Sequence, residues 1–379
     1  MKLQKDSLRI MIYSDHFYPS LGGSENYALD LATELTRQGH SVAVVTAQKE
    51  FDADTPLFQI FRLRKPFSLY RVNLNFIELP KIIKEFQPDI LHINYQTGGE
   101  NLLIPLLKVM RMPFIITYHA DHLVTLGRMI DELQLVSTFR CAKFIMIQSK
   151  RDEKKFKSRG FPKEKLFLSR FNGIDTEKYK CVSKGNRNEN SIKLLCIARL
   201  DDSHKYKGIH ELIMELRGLN IIELPFKLSI NIIGDGNLRE QYENECCVYH
   251  LSNISFLGNV GFEQMIKEIC DADFLILPSI DKAEGFGRVA LESLSCGTPV
   301  IVSKYAGIAE LIEKYNAGIV YDPRNLKGLI YTIASFLYSR QGLQQLAENG
   351  KTLITGEKLS LTLTTEKTTQ IYYKSLGMK

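Results

Sequence analysis

A chain of 379 residues is too long for one ordinary hydrophobic core and calls for two domains of about 150–200 residues each. Its 44% hydrophobic and 24% charged content excludes a disordered chain, and no apolar run reaches the roughly 18 residues a spanning helix needs. The formal charge of +6 is concentrated: residues 150–170 hold nine Lys or Arg against three acids, and with no aromatic-interleaved basic motif or nucleic-acid module beside them a nucleic-acid partner is not expected.

The polar start, Met1–Asp6, leads at once into an apolar strand without a signal-peptide core, so a cytoplasmic chain is expected. Strands are expected at Leu8–Ser14, Ser41–Ala47, Phe58–Leu63, Asp89–Asn94, Pro113–His119, Lys143–Ser149 and Leu166–Phe171. The first helix is expected over Ser24–Thr36, with Ser24 as N-cap, Ala28, Leu31, Ala32 and Leu35 on one face, and Gly39 as its stop. Arg62, Arg64, Lys65 and Arg71, around Phe67, Leu69 and Tyr70, make a second basic cluster. Both clusters read either as solvated faces or as attraction to an anionic membrane surface or a phospholipid-linked acceptor, which would put the protein peripherally on the inner face of the membrane.

The polar stretch Asn172–Ser191 reads as a linker. Alternation then resumes with strands at Ile192–Leu200, Lys227–Gly234, Ile254–Leu257, Asp273–Ser279, Pro299–Ser303 and Gly318–Tyr321. Near-continuous apolar strands separated by helices mean parallel sheets covered on both faces, hence an α/β chain of two doubly wound domains. Residues 1–171 form the first, 192–365 the second, and 366–379 a C-terminal helix that could cross back to the first. Ligands of such sheets bind outside the carboxyl ends of the strands, so a cleft between the two domains is the expected site. The seven cysteines include no C-x-x-C pair and mostly lie in apolar segments, so buried free thiols are expected rather than a disulfide or zinc framework.

Chemistry concentrates in Glu284-Gly-Phe-Gly-Arg-Val-Ala-Leu-Glu292. Gly285 and Gly287 let backbone amides approach a ligand and the following helix opens its positive end there, which suits an anion, while the two carboxylates suit hydroxyls. A phosphate beside hydroxyls describes a nucleotide sugar. Arg199 and Lys207, at and just after a strand end, suit a diphosphate, and Lys205 competes with Lys207 for that role. Gly22 and Gly23 follow the first strand, where amides can approach the diphosphate or simply form a tight turn; His119 ends another strand. A carboxylate at 292 can accept two ribose hydroxyl bonds, or be an exposed acid paired with a Lys.

Other patterns are set aside. Asp271-Ala-Asp273 sits at a helix-to-strand junction, where it more plainly caps; Asp52-Ala-Asp54 lies in a polar loop; Asp121 and His122 near His119 fit no common metal spacing. Gly234-Asp-Gly236-Asn-Leu-Arg239 lacks the third glycine of a dinucleotide fingerprint, and Gly350-Lys-Thr352 lacks the leading glycine of a P-loop.

The ordered set Gly22-Gly-Ser-Glu25, Asn172-Gly-Ile-Asp175, Ala198-Arg-Leu200 with Lys207-Gly208, Gly234-Asp-Gly236, Phe256-Leu-Gly258 and Glu284-Gly-Phe-Gly287 through Glu292 resembles the retaining GT-B glycosyltransferases, specifically the large GT4 family, from about Asp15 to Glu310. The resemblance implies a GT-B fold of two facing Rossmann-like domains, the first for the acceptor and the second for a nucleotide-sugar donor. It implies a hexosyl-type transfer from a nucleotide-diphosphate sugar, UDP-linked by family frequency with GDP-mannose as the rival, to a hydroxyl of a saccharide or lipid-linked acceptor. Surface-polysaccharide or glycolipid synthesis is the implied setting, with no metal or other cofactor.

By the same resemblance Arg199 and Lys207 hold the diphosphate, Glu284 meets the donor sugar near its anomeric end, and Glu292 binds the ribose. Phe286 and Gly287 offer amides, Gly22, Gly23 and Gly234 line the donor, and His119 reaches the sugar and acceptor region. A single glycine in Ala306-Gly307, where the family often has two, departs from the pattern. The alternatives are an inactive nucleotide-sugar-binding homologue acting as a scaffold and a two-domain oxidoreductase.

Overall fold

The computed structural model describes residues 7–18, 22–47, 57–63, 68–69, 72–73, 78–96, 100, 103–119, 136–169, 172–182, 190–218, 224, 226–336 and 340–378. These form two compact units: residues 1–173 with 361–379, and residues 174–360.

The first unit holds β1 (Arg9–Ser14), β2 (Ser41–Thr46), β3 (Gln59–Arg62), a short antiparallel pair of β4 (Ser68–Leu69) and β5 (Val72–Asn73), then β6 (Ile90–Tyr95), β7 (Phe114–Tyr118), β8 (Ile145–Ile147) and β9 (Leu166–Leu168). Its main sheet runs β3-β2-β1-β6-β7-β8-β9, with every pair parallel. Apolar residues alternate between two buried faces, as a sheet covered on both sides requires: Met11, Tyr13, Leu91 and Ile93 face one core, and Ile10, Ile12, Ile90 and Ile115 the other.

The second unit holds β10 (Ser191–Ile197), β11 (Lys227–Ile233), β12 (Ile254–Gly258), β13 (Phe274–Leu277), β14 (Val300–Ser303) and β15 (Gly318–Tyr321), ordered β12-β11-β10-β13-β14-β15, again all parallel. Leu194, Cys196, Ile230 and Ile232 line one face, and Leu195, Ile233, Leu275 and Leu277 the other. Strand order reverses between β1 and β6 in one unit and between β10 and β13 in the other, which are the topological switch points where α/β sheets place ligands. All thirteen anticipated strands form, with no end displaced by more than three residues.

Four expectations need correction. The first helix spans Gly23–Arg37 with Gly22 as N-cap; Ser24 is already helical and its hydroxyl donates to the Glu25 carboxylate at 2.8 Å rather than capping the chain. Within the expected linker Asn172–Ser191, the described residues 172–182 are not a free linker: Ile174 and Tyr179 are buried in the second core, and Ile174 N–H donates to Leu359 O at 2.8 Å.

The C-terminal helix begins at Leu361, not 366, runs to Ser375 and belongs to the first unit, so the second unit ends at Ser360 rather than 365. Its polar look is deceptive. Thr364 and Thr368 are buried and donate to carbonyls of their own helix at 3.0 and 2.9 Å, which satisfies their hydroxyls and lets the face pack. Ile371 and Tyr372 enter the core beside Tyr27, Ala28 and Leu31, each such side chain contributing about 1.5–3 kcal/mol.

Finally, Cys181 and Cys270 form a disulfide across 89 residues, with Cα atoms 5.8 Å apart. The fold, not a short sequence spacing, brings them together. The Cys296 sulfur joins them within 4.8 Å, while Cys141, Cys196, Cys246, Cys247 and Cys296 are outside any disulfide.

The helix Lys150–Ser158 is capped by Ser149 and Asp152 in a reciprocal box and buries Asp152 and Phe156; Lys150, Lys154 and Lys157 form a solvated face, while Lys155 is half-buried and donates through Nζ to Tyr118 OH. Arg64, Lys65, Phe67, Tyr70, Arg71 and Arg170 lie outside the described residues, as do Asp52, Asp54, Asp121 and His122. Among the described residues no helix is long and apolar enough to cross a membrane.

Candidate active site

In the second unit, the loops after β10 and β13 meet. Gly208 has φ +74, and a Cβ there would lie 2.1 Å from Pro278 O. Only glycine therefore lets the turn Asp202–Lys207 dock on the loop after β13, and Ile280 N–H fastens it by donating to Tyr206 O at 2.9 Å. Docking delivers Lys207 Nζ to both oxygens of Glu284, at 3.1 and 2.9 Å, while Ser279 Oγ donates to Glu284 Oε2 at 2.6 Å. Burial pulls the Lys207 ammonium towards neutrality, but the Glu284 carboxylate outweighs it and holds the pKa above the ordinary lysine value.

Lys205, the alternative cation, instead pairs with Asp202 at 2.8 Å and is 62% exposed. Arg199 is half exposed and is held by Asp201 at 3.1 Å. Burial opposes ionisation of Asp201, yet hydrogen bonds from Ser203 and His204 prevail and draw its pKa down to about 2. The Arg199 partner thus stays a carboxylate.

Glu284-Gly-Phe-Gly287 forms the mouth of the helix Arg288–Ser295. Gly287, at φ +87, reverses the chain, and the segment from Gly307 clamps the mouth: Gly307 N–H donates to Gly285 O at 2.7 Å and Ile308 N–H to Phe286 O at 2.9 Å. Phe286 is buried in the core beneath. Glu292 is neither exposed nor paired with a lysine; it accepts from Arg288 Nε at 3.2 Å, and both side chains are about 95% buried.

Gly234 lies at φ +137, with its Cβ position 1.8 Å from Ala198 O, and Gly236 similarly crowds Leu200 O. These glycines let the loop after β11 sit against the Arg199 segment, with Leu200 N–H donating to Asp235 O at 3.0 Å. Arg199, Lys207, Gly234, Glu284, Phe286, Gly287 and Glu292 thus all stand at the carboxyl end of the second sheet or on the helix that leaves it.

Gly22, Gly23 and His119 belong to the first unit. Gly22 is extended, and a Cβ on it would meet the Glu25 carboxylate at 2.3 Å. His119, after β7, hydrogen-bonds through Nε2 to Asn94 Oδ1, and the edge-to-face ring of Tyr27 lies 5.2 Å away. Asn94 Nδ2 donates to Ser14 Oγ at 2.8 Å and to Ser24 O at 3.1 Å, tying the histidine to the glycine turn. Sequence reasoning passed over Asn94, Ser279 and Arg288. Asn94 and Ser279 carried one signal, a polar residue closing or following an apolar strand at a switch point.

Asp273 accepts from Lys193 N–H at 2.9 Å at the opposite end of its strand, a capping role. Among the described residues, the cluster with metal-ligand proximity is Cys181, Cys270 and Cys296, which lies at the far end of the helix 288–295 from Glu284; two of its sulfurs are bonded to each other.

The family model for glycosyl transferases group 1 matches residues 180–353, and that for glycosyltransferase family 4 matches residues 21–178. An uncharacterized glycosyltransferase of Methanocaldococcus jannaschii is 34% identical over 38% of this chain, a match spanning 39% of that relative's length. The alpha-monoglucosyldiacylglycerol synthase of Streptococcus pneumoniae is 25% identical over 85% of the chain and 77% of its own length. Among solved structures, sucrose-phosphate synthase from Thermosynechococcus elongatus superposes with a TM-score of 0.80 over 98% of this chain and 100% of that one, at 19% identity. Anabaena HepE in complex with UDP-glucose gives a TM-score of 0.74 over 96% and 99%, at 17% identity. With both halves matched in order and both sheets of the GT-B kind, the chain belongs to the GT4-type glycosyltransferases of GT-B fold.

Proposed function

We propose that this glycosyltransferase takes its sugar from a UDP-sugar and passes it, with retention of anomeric configuration, to a hydroxyl of a saccharide or lipid-linked acceptor in surface-polysaccharide or glycolipid synthesis. The observation that carries the reading is the buried Lys207–Glu284 pair at the mouth of the helix 288–295. An ammonium has three N–H donors, and Glu284 takes two from Lys207, leaving one to direct at a phosphate oxygen. Arg199 binds the same diphosphate bidentately, and the amides of Phe286 and Gly287 add the helix's positive end. Together these groups stabilise charge on the departing nucleotide, each worth roughly 2.7–4 kcal/mol if a lost donor here behaves as in other oxyanion sites.

Glu284 accepts from hydroxyls of the sugar and Glu292 from the ribose. The leaving phosphate takes the proton of the incoming hydroxyl on the same face as bond cleavage. Because Lys207 and Arg199 supply the positive charge, the transfer runs without a divalent ion, and activity survives chelation by EDTA.

The donor choice draws on HepE, whose complex holds UDP-glucose, with GDP-mannose as the rival; the lipid-linked acceptor draws on the diacylglycerol product named for the pneumococcal relative. The basic face of the helix 150–158 would then rest on the inner membrane surface. A thermal-shift screen across UDP-, GDP- and ADP-sugars tests the donor, since only the folded site binds it; stabilisation by GDP- or ADP-sugars alone rejects the UDP assignment. Flotation on anionic against neutral liposomes tests the membrane contact.

A further inference from the structure

We infer that Asn94 is a positioning residue that holds His119 in its Nε2–H tautomer and locks the ring to the first turn of the helix 23–37. Asn94 is fully buried at the carboxyl end of β6. Its two amide ends look alike in shape, but the neighbours fix which is which. Nδ2 lies 3.1 Å from the Ser24 carbonyl, an atom that only accepts, and 2.8 Å from Ser14 Oγ, whose own hydrogen goes to His16 O at 2.7 Å. The nitrogen is therefore on that side, and the oxygen faces His119. An amide oxygen only accepts, so His119 Nε2 must carry a hydrogen.

A neutral imidazole has one N–H, which puts the lone pair on Nδ1. Any group that meets Nδ1 must then donate a hydrogen. On the sugar-transfer reading a sugar or acceptor hydroxyl can donate to Nδ1, whereas a fully ionised phosphate oxygen cannot. The Tyr27 ring fixes the imidazole plane from the side, and Gln96 Nε2, 3.1 Å from Ser24 Oγ, secures the same turn. Asn94 thus joins Ser24 of the Gly22–Glu25 motif to His119, 95 residues further on, through one amide.

Two-bond proton–nitrogen NMR on the full chain with ¹⁵N-labelled histidine tests this, with the His119 signal assigned by its loss in His119→Gln. Wild type is expected to show His119 protonated at Nε2 at a pH where the ring is neutral. Asn94→Leu is expected to give mixed tautomers and about a tenfold fall in kcat, the scale of one lost hydrogen bond, with donor KM little changed. Asn94→Asp keeps an oxygen facing Nε2 and is expected to restore the tautomer.

An Nδ1–H tautomer in the wild-type protein overturns the inference. So does an unchanged tautomer in Asn94→Leu. Because the wild-type spectrum alone decides the first point, a variant that fails to fold does not shelter the claim, and because the NMR readout needs no turnover, a wrong substrate assignment leaves it standing.

Discussion

Lys207 donates to both carboxylate oxygens of Glu284, residues 77 positions apart whose side chains are 19% and 4% exposed. The pair does two jobs that substitution can separate. Removing Lys207 alone strands a buried carboxylate, so Lys207→Met should cost about 3–5 kcal/mol in unfolding free energy and abolish transfer. The double variant Lys207→Met, Glu284→Gln removes both charges and should regain most of that stability while remaining inactive. Denaturant unfolding beside a transfer assay checks this; a stable, active Lys207→Met would refute the proposed mechanism.

Ser279→Ala removes a hydroxyl hydrogen bond to the same carboxylate. Bonds to charged groups contribute about 1.5–3 kcal/mol, so stability should fall by that order, and kcat should fall because Glu284 gains freedom to turn from Lys207. Equal kcat in Ser279→Ala and wild type would show that Lys207 alone fixes Glu284.

Glu292→Gln keeps the shape of the side chain but removes the charge opposite Arg288. If Glu292 binds ribose hydroxyls, donor KM should rise about tenfold with a smaller change in kcat, since uniform binding is lost. A loss confined to thermal stability would make Glu292 a purely structural partner of Arg288.

His92 is buried between Tyr372 OH, 2.6 Å from Nδ1, and Thr117, and burial lowers its pKa from 6.5 to about 3. The folded ring stays neutral where the unfolded ring takes a proton. Its contribution is therefore present above about pH 6.5 and is lost as pH falls towards 3, at up to about 1.4 kcal/mol per pH unit. Unfolding midpoints measured from pH 7 to 4 should fall less steeply in His92→Gln than in wild type; parallel slopes would disprove the assignment.

Reduction of the Cys181–Cys270 bridge opens an 89-residue loop in the unfolded chain, so Cys270→Ala or a reducing agent should lower stability by about 2–5 kcal/mol. Calorimetry with and without a dithiol measures it, and Cys270→Ala should be insensitive to the dithiol.

Strands were legible because apolar runs such as Ile10–Tyr13 and Leu275–Leu277 leave no other home than a sheet buried on both sides. The motif residues were legible too, since glycine followed by charge at a strand end has few other uses. What escaped was long-range satisfaction of polar groups. Thr364, Thr368 and Tyr372 look like a solvated helix until the helix's own carbonyls and His92 absorb their hydroxyls. Asn94 and Ser279 are ordinary polar residues until the fold supplies His119 and Glu284, and no local pattern announces that Cys181 will meet Cys270.

The helix Leu361–Ser375 completes the first unit although its residues are translated after the whole of the second. A ribosome therefore releases residues 174–360 while the groove over Tyr27, Ala28 and Leu31 still waits for Ile371 and Tyr372. The N-terminal half cannot mature by vectorial, front-to-back folding, and a fragment cut at residue 173 should be sticky until a peptide carrying residues 361–379 is supplied in trans.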